Sequence, residues 1–414
     1  MISRRAFIKG TGLAMFGIGF GGVPSFLLKT ANAQKTSALF QSKKILVCIF
    51  QRGAMDGLMA VSPFNDNYLK TARPNLFVNN FIDLDGKFGL HPGFGPFEKL
   101  FTEKRLAIVH GMGSPNTTRS HFDAQDYMES GTPFNKGTDS GWLNRAVGLL
   151  GHDATPYRAV SLTSSMPRSF YGENPALAIR DLRDFSVQMK GSKADVTVAA
   201  KTFEDLYDET SSSLLKDTGK ESFEAMKLLQ KTNVAGYTPA NGAAYPAGPL
   251  GNSLKQIAQL IKMDVGLEIG FAESGGWDTH FNQGAQNGVF ARNANDLSKS
   301  IAAFWADLEE RQNDITVLTM TEFGRTVKQN GTGGTDHGRA SCSFIIGNDV
   351  KGGKVYGDIK ELAVENLEDG RDLPVTTDFR SVFSEVAGGH LALNDDRVLF
   401  PEWDGKRISV IGKR

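Results

Sequence analysis

The chain has 414 residues, and its 46 basic and 46 acidic side chains cancel to a formal charge of zero at neutral pH. No block of like charge stands out, which argues against a nucleic-acid surface and against a face for anionic membranes. The length suits one large α/β domain or two smaller ones, and two cysteines with no CxxC or CxxCH spacing exclude zinc-ribbon, thioredoxin-like and c-type haem chemistry.

The first residues include Ser3-Arg4-Arg5-Ala6-Phe7-Ile8-Lys9, paired arginines with an aromatic and a lysine behind them. A glycine-rich, weakly apolar stretch follows and closes on Ala31-Asn32-Ala33 before Gln34. This is the pattern of a twin-arginine export signal ending in a signal-peptidase site. Glycine is costly in a helix and lowers hydrophobicity, so the stretch is a poor spanning segment and no stable membrane anchor is expected. Residues 1–33 are read as a removable signal handled by the twin-arginine translocase. Residues 34–414 are read as one catalytic domain, folded before export and delivered to the periplasm or secreted.

Residues 44–50 (KILVCIF) form a continuous apolar run, as expected of a strand buried on both faces of a parallel sheet. Residues 94–103 have helical spacing, 105–110 (RLAIVH) make a second buried strand, 120–129 a helix and 158–162 a short strand. Residues 196–231 read as a polar, helix-rich outer pair, and 232–251 as a Gly/Pro/Ala/Asn loop, either lid or linker. Further on, 253–263 is predicted helical and 265–271 a strand. Residues 289–310 make a long amphipathic helix with Leu297, Ile301, Phe304, Trp305 and Leu308 on one face. Strands are predicted at 315–320 and 343–346, and a late helix at 377–391. The alternation predicts an α/β fold, a three-layer αβα arrangement around a mainly parallel sheet. Cys48 and Cys342 fall at apolar strand positions, where two core thiols explain them better than a disulfide.

Polar residues gather at the strand ends. Asp56 lies in the turn after strand 44–50, and Arg119-Ser120-His121-Phe122-Asp123 in the segment after strand 105–110. Asp278-Thr279-His280 follows strand 265–271, Glu322-Phe323-Gly324-Arg325 follows strand 315–320, and Asp336-His337-Gly338 leads into strand 343–346. The carboxyl ends of strands in an open parallel sheet share one edge, where ligand sites form, so these loops are expected to converge. Carboxylates with neutral imidazoles bind divalent cations. Asp56, Asp278, His280, Glu322, Asp336 and His337 are therefore candidate ligands for one or two ions of zinc, manganese, calcium or magnesium. Ser120, where loop turns into helix, is the candidate nucleophile toward a small anionic ester, with Arg119 or Arg325 clamping its oxygens. Plainer readings stand beside these. Ser120 has the look of an N-cap, Asp56 of a turn former, Glu322 and Arg325 of an ion pair. His121 and Asp123 could stand behind the ligands, and His91 and His110 could be structural.

These same segments carry a resemblance. The Arg52–Leu58 turn, Ser120-His121-Phe122-Asp123, Gly275-Gly276-Trp277-Asp278-Thr279-His280, Thr321–Arg325 and Asp336-His337-Gly338 resemble the exported bacterial family known as domain of unknown function 1501. That family is placed in the alkaline phosphatase and sulfatase superfamily, and the resemblance covers essentially the whole chain after residue 33. It implies an alkaline-phosphatase-like fold and metal-dependent hydrolysis, or phosphotransfer, of phosphate or sulfate esters. Mapped by order, it makes Asp56 the early metal ligand, Ser120 the nucleophile, Asp278 and His280 the first metal pair and His337 the late histidine. Two departures imply an altered ligand set, with one metal rather than two, or none. Only Thr279 separates Asp278 from His280, where relatives have Asp-x-x-x-His, and Glu322-Phe323 stands where they often have Asp-His. No Cys-x-Pro/Ala-x-Arg and no G-x-S-x-G occurs, against formylglycine sulfatase and α/β-hydrolase chemistry. The alternatives are an exported binding or assembly protein that has lost catalysis, and a metal-free esterase using Ser120 and a histidine.

Overall fold

Strand β1 (Ile45–Gln51) sends its side chains alternately into two apolar cores. Ile45, Val47 and Ile49 enter one, while Leu46, Cys48 and Phe50 enter the other. A strand covered on both faces has no wet side, which is why KILVCIF shows no polar alternation. The computed structural model describes residues 44–151, 155–183, 225 and 236–412. The export signal read at 1–33 and, Ala225 apart, the outer pair read at 196–231 lie outside the described residues.

Three short strands, β2 (Val61–Ser62), β3 (Ile82–Asp83) and β4 (Gly89–Leu90), form a small antiparallel sheet. The large sheet adds β5 (Leu106–Gly113), β6 (Ala159–Ser161), β7 (Leu177–Ala178), β8 (Ile269–Ser274), β9 (Ile315–Met320), β10 (Ser341–Gly347), β11 (Lys354–Tyr356) and β12 (Thr377–Asp378) to β1. Its order is β11-β5-β10-β9-β1-β8-β6-β7, with β12 also on the outer edge of β5. Helices Pro249–Lys262 and Val289–Leu308 cover one face through Leu254, Ile257, Leu297, Ile301 and Phe304. Helices Trp142–Leu149 and Phe379–Leu391 cover the other through Trp142, Leu143, Val382 and Phe383. The fold is the expected three-layer αβα arrangement around a mainly parallel sheet. Several boundaries move, among them the helix expected at 253–263, which starts at Pro249 inside the expected loop 232–251. The strand expected at 265–271 is Ile269–Ser274, because Val265 and Leu267 reach the core from a loop. Residues 377–378 form β12 ahead of the late helix.

One strand of this sheet runs against its neighbours: β10 is antiparallel to both β9 and β5. In a wholly parallel sheet, the entry to a strand lies at the edge opposite the strand ends. Reversal brings the entry to β10 to the edge where β1, β5, β8 and β9 finish. The ladder continues into the loops, where Gly338 N–H donates to Gly324 O at 2.9 Å and Gly324 N–H to Arg339 O at 2.8 Å. Asp336 and His337 thereby join the strand-end loops.

Cys48 and Cys342 are both buried and unbridged, on opposite faces of the sheet. Burial pushes both thiols up, as apolar core positions require. No helix among the described residues is long and apolar enough to cross a membrane.

The described part of the Gly/Pro-rich loop, 236–248, is tied down by the buried Asp307 on helix Val289–Leu308. That carboxylate accepts from Tyr237 Oη at 2.6 Å, Tyr245 Oη at 2.8 Å, Ala240 N–H at 2.7 Å and Lys262 Nζ at 2.7 Å. Burial alone would raise its pKa, but the bonds from Lys262, Tyr237, Ala240 and Tyr245 outweigh that and hold it below the ordinary value. A lowered carboxylate pKa adds stability that is complete above the unfolded value of about 4 and is lost as pH falls through the folded value. Urea melts from pH 6 downward should therefore fall more steeply for the natural chain than for Asp307→Asn. Tyr245→Phe should cost about 1–1.5 kcal/mol at pH 7. A variant melt parallel to the natural one across the acid range would show that Asp307 carries no linked proton.

Candidate functional site

Four side chains from three segments meet at the sheet edge. His121 opens helix His121–Ser130 after β5, Asp278 and His280 lie in the loop after β8, and His337 lies in the loop entering β10. Asp278 Oδ1 is 3.1 Å from His280 Nε2, 3.3 Å from His121 Nε2 and 3.5 Å from His337 Nε2. The Nε2 atoms of His280 and His337 are 2.8 Å apart. Each ring is fixed through its other nitrogen. His121 Nδ1 lies 2.8 Å from Glu322 Oε1, His280 Nδ1 3.0 Å from Asp336 Oδ1, and His337 Nδ1 2.7 Å from the Arg119 carbonyl oxygen. An oxygen acceptor at Nδ1 keeps the ring proton there and turns the Nε2 lone pair inward, the orientation in which imidazole serves a cation. His121 Nε2 is also buried without a well-formed hydrogen bond, a condition native folds leave only where something else satisfies the atom.

Charge around the centre is held in place from behind. Arg325 is fully buried and donates to Asp278 Oδ1 at 2.6 Å, to Gly53 O at 2.6 Å, to Ala54 O at 2.9 Å and to Thr335 O at 3.2 Å. Burial works to raise the Asp278 pKa, but Arg325 and the neighbouring histidines keep it below the ordinary value. Glu322 is buried too, and bonds from His121, Gln125 and Gly53 N–H overcome that burial and keep its carboxyl low. Burial disfavours a proton on His121, yet Glu322 and Asp278 outweigh it and raise that pKa. His337, half-buried and facing His121, Arg325 and His280, is lowered, chiefly by that burial. Gly53 makes the crossing possible: its φ is +113°, and an added Cβ would overlap the backbone nitrogen of Asp278.

The structure sorts the residues singled out in the sequence. Asp278, His280 and His337 come together. Glu322 and Asp336 stand behind His121 and His280 rather than facing the centre. Asp56 does not join them. Both its oxygens are taken by Arg73 (2.8 and 3.1 Å), and it caps helix Gly57–Ala60 at Met59 N–H and accepts from Gln283 Nε2 at 2.8 Å. Neither arginine is offered to a ligand. Arg119 pairs with Asp372 at 2.5 Å and Asp369 at 3.0 Å, and contributes its carbonyl to His337. Arg325 is spent on Asp278 and backbone oxygens. Ser120 occupies the N-cap position, but its side chain makes no capping bond. His91 and His110 are structural, each ring bonded to backbone at both nitrogens, and burial pushes His110 down to about 4. The sequence placed His121 behind the ligands, whereas the structure puts its Nε2 in the cluster itself; its place at a helix start beside Ser120 was the available signal. Nothing in the sequence pointed to Gln283, whose amide oxygen ties Thr279 (2.9 Å) to Thr335 (2.8 Å) beneath the two loops.

A family profile described as "Protein of unknown function (DUF1501)" matches residues 105–400. The chain belongs to the DUF1501 family. All four clustered residues of this DUF1501 chain fall inside the match, whereas β1 and Asp56 precede it. No curated protein matches the sequence. Among solved structures, this DUF1501 chain is similar to the C-terminal periplasmic domain of EcEptC from Escherichia coli in complex with zinc. The identity is 10%, the TM-score 0.38, and 95% of this chain and 91% of that one are covered. It is also similar to the PsFucS1 sulfatase from Pseudoalteromonas sp., at 11% identity and TM-score 0.36, covering 89% and 71%. A third likeness is to the lipoteichoic acid synthase LtaP from Listeria monocytogenes, at 8% identity and TM-score 0.32, covering 77% and 67%. Likenesses this distant say nothing of the chemistry of the DUF1501 chain.

Proposed function

We propose that the chain is an exported hydrolase or phosphotransferase of phosphate or sulfate esters that works with one divalent metal, on an alkaline-phosphatase-like fold. The observation that carries this reading is the convergence of three Nε2 atoms on Asp278 Oδ1, each imidazole anchored from its Nδ1 side. The donor set fits a cation: His121, Asp278 and His337 each bring one ligand atom within 4.8 Å of the others, three protein donors of the kind a zinc site with an open position takes, and short of oxygen ligands for calcium or magnesium. With Asp56 closed by Arg73, the reading is one ion rather than two.

His121, Asp278 and His337 would hold the ion, with His280 beside them. Glu322, Asp336 and the Arg119 carbonyl orient the rings, and Arg325 fixes the carboxylate. A divalent cation held there supplies charge to an anionic ester and lowers the pKa of a nearby hydroxyl. Ser120 is the attacking residue in this reading, because its hydroxyl is not consumed in capping and its two neighbours, Arg119 and His121, both contact the centre. The metal-free esterase is less well supported: among the described residues, Ser120 Oγ makes no hydrogen bond to a histidine.

Metal content by mass spectrometry tests the reading. The natural protein, purified under native conditions and reloaded with zinc, should carry about one equivalent, and Asp278→Ala and His337→Ala should carry almost none with unchanged circular dichroism. A chain that binds no stoichiometric metal after reloading, or variants that keep it, would remove the metallohydrolase.

A further inference from the structure

Two of the most exposed apolar side chains stand next to the centre. Phe122 is 88% exposed and follows His121, and Phe281 is 67% exposed and follows His280. With consecutive Cα atoms about 3.8 Å apart, both backbones lie within about 12 Å of Asp278 Oδ1. Neither ring is on a loose segment. Phe122 is in the first turn of helix His121–Ser130. Phe281 lies between pinned residues: His280 O accepts from Asn330 Nδ2 at 2.7 Å and Thr332 Oγ1 at 2.7 Å, and Asn282 N–H donates to Thr332 O at 3.1 Å. A fold that exposes two phenyl rings from well-anchored backbone beside a polar centre leaves apolar area to be covered by whatever enters that centre.

We propose that Phe122 and Phe281 seat the organic part of the substrate, so that the site takes esters carrying an aryl or other bulky apolar group. The inference rests on the ester reading of the centre and names the substrate class for it. An anionic bilayer fits the same rings poorly, because it would need free cations around them. Lys136 is paired with Asp123, Arg371 with Asp372, and Arg119 with Asp369 and Asp372. A ring stacked against exposed phenyl groups gains from area and from edge or offset geometry, while the anionic head is left to the centre.

Calorimetric titration of the zinc-loaded full chain with phenylphosphonate and with methylphosphonate, neither of them a hydrolysable ester, separates the two contributions. The natural protein should bind phenylphosphonate about tenfold more tightly. The Phe122→Ala/Phe281→Ala double variant, altered only at exposed positions, should lose that preference and keep its affinity for methylphosphonate. Equal binding of the two ligands by the natural protein, or a preference that survives in the double variant, overturns the inference and leaves the ester reading standing. If neither phosphonate binds, the ester reading falls and this inference with it.

Discussion

Arg73→Met is expected to lower the unfolding free energy by about 3–5 kcal/mol, because it strands a buried carboxylate. Asp56 and Arg73 are 1% and 2% exposed, and the guanidinium also donates to the carbonyl oxygens of Val327 and Thr326, each at 2.8 Å. The methionine fills similar volume, so the loss reads the charge rather than a cavity. Two further outcomes separate this pair from a metal-binding role for Asp56. The double variant Asp56→Leu/Arg73→Met should recover much of the loss, since a buried pair replaced by apolar groups is often near neutral. Arg73→Met that still folds at low temperature should bind as many zinc equivalents as the natural chain. Urea denaturation followed by far-ultraviolet dichroism measures the first. A loss under about 1 kcal/mol would mean that solvent reaches Asp56 and relieves it.

Glu322→Gln should weaken zinc binding by about 10- to 100-fold without unfolding the protein. Glu322 Oε1 receives His121 Nδ1, Gly53 N–H at 2.9 Å and Gln125 Nε2 at 2.9 Å, so one buried oxygen joins the first loop, the helix and the ring. Glutamine keeps the shape and one acceptor oxygen but removes the charge that makes His121 a stronger donor of its lone pair at Nε2. Competition against a chelator of known affinity gives the zinc dissociation constant directly. An unchanged constant would show that Glu322 holds the loop and does nothing for the ring. Asp336→Asn, acting on the more exposed His280, should have a smaller effect.

Much of the sheet was legible because strands β1, β5 and β9 are apolar on both faces, a pattern few other elements share. The two-residue strands β2, β3, β4, β7 and β12 have no period to show. The start of β8 was misplaced because a core-facing loop and a strand leave the same apolar trace. At the site, the Asp278-Thr279-His280 and Asp336-His337 pairs pointed to the right edge. Asp56 misled because a carboxylate in a turn after a strand looks alike whether it faces a ligand or a buried arginine. The deciding partner, Arg73, is 17 residues away, with nothing in the spacing to mark it. Arg119 and Arg325 misled likewise, since their carboxylate partners come from other loops.

The reversed strand β10 has a consequence for when the centre can exist during synthesis. It lies between β5 and β9, so until it inserts, the sheet is two separate halves. His121 belongs to the half built on β5, while Asp278 and His280 belong to the half built on β8 and β1; His337 is carried by the segment that leads into β10 itself. The β5–β10 pairing joins residues far apart in sequence, as do β1–β8 and β1–β9, and loops this long are costly to close before their contacts reward it. The four clustered residues therefore come together only once β10 is in place, and a chain stalled short of β10 offers at most three of them, split between two unjoined pieces. An ion captured there would mark a completed sheet and would draw the equilibrium toward it by mass action.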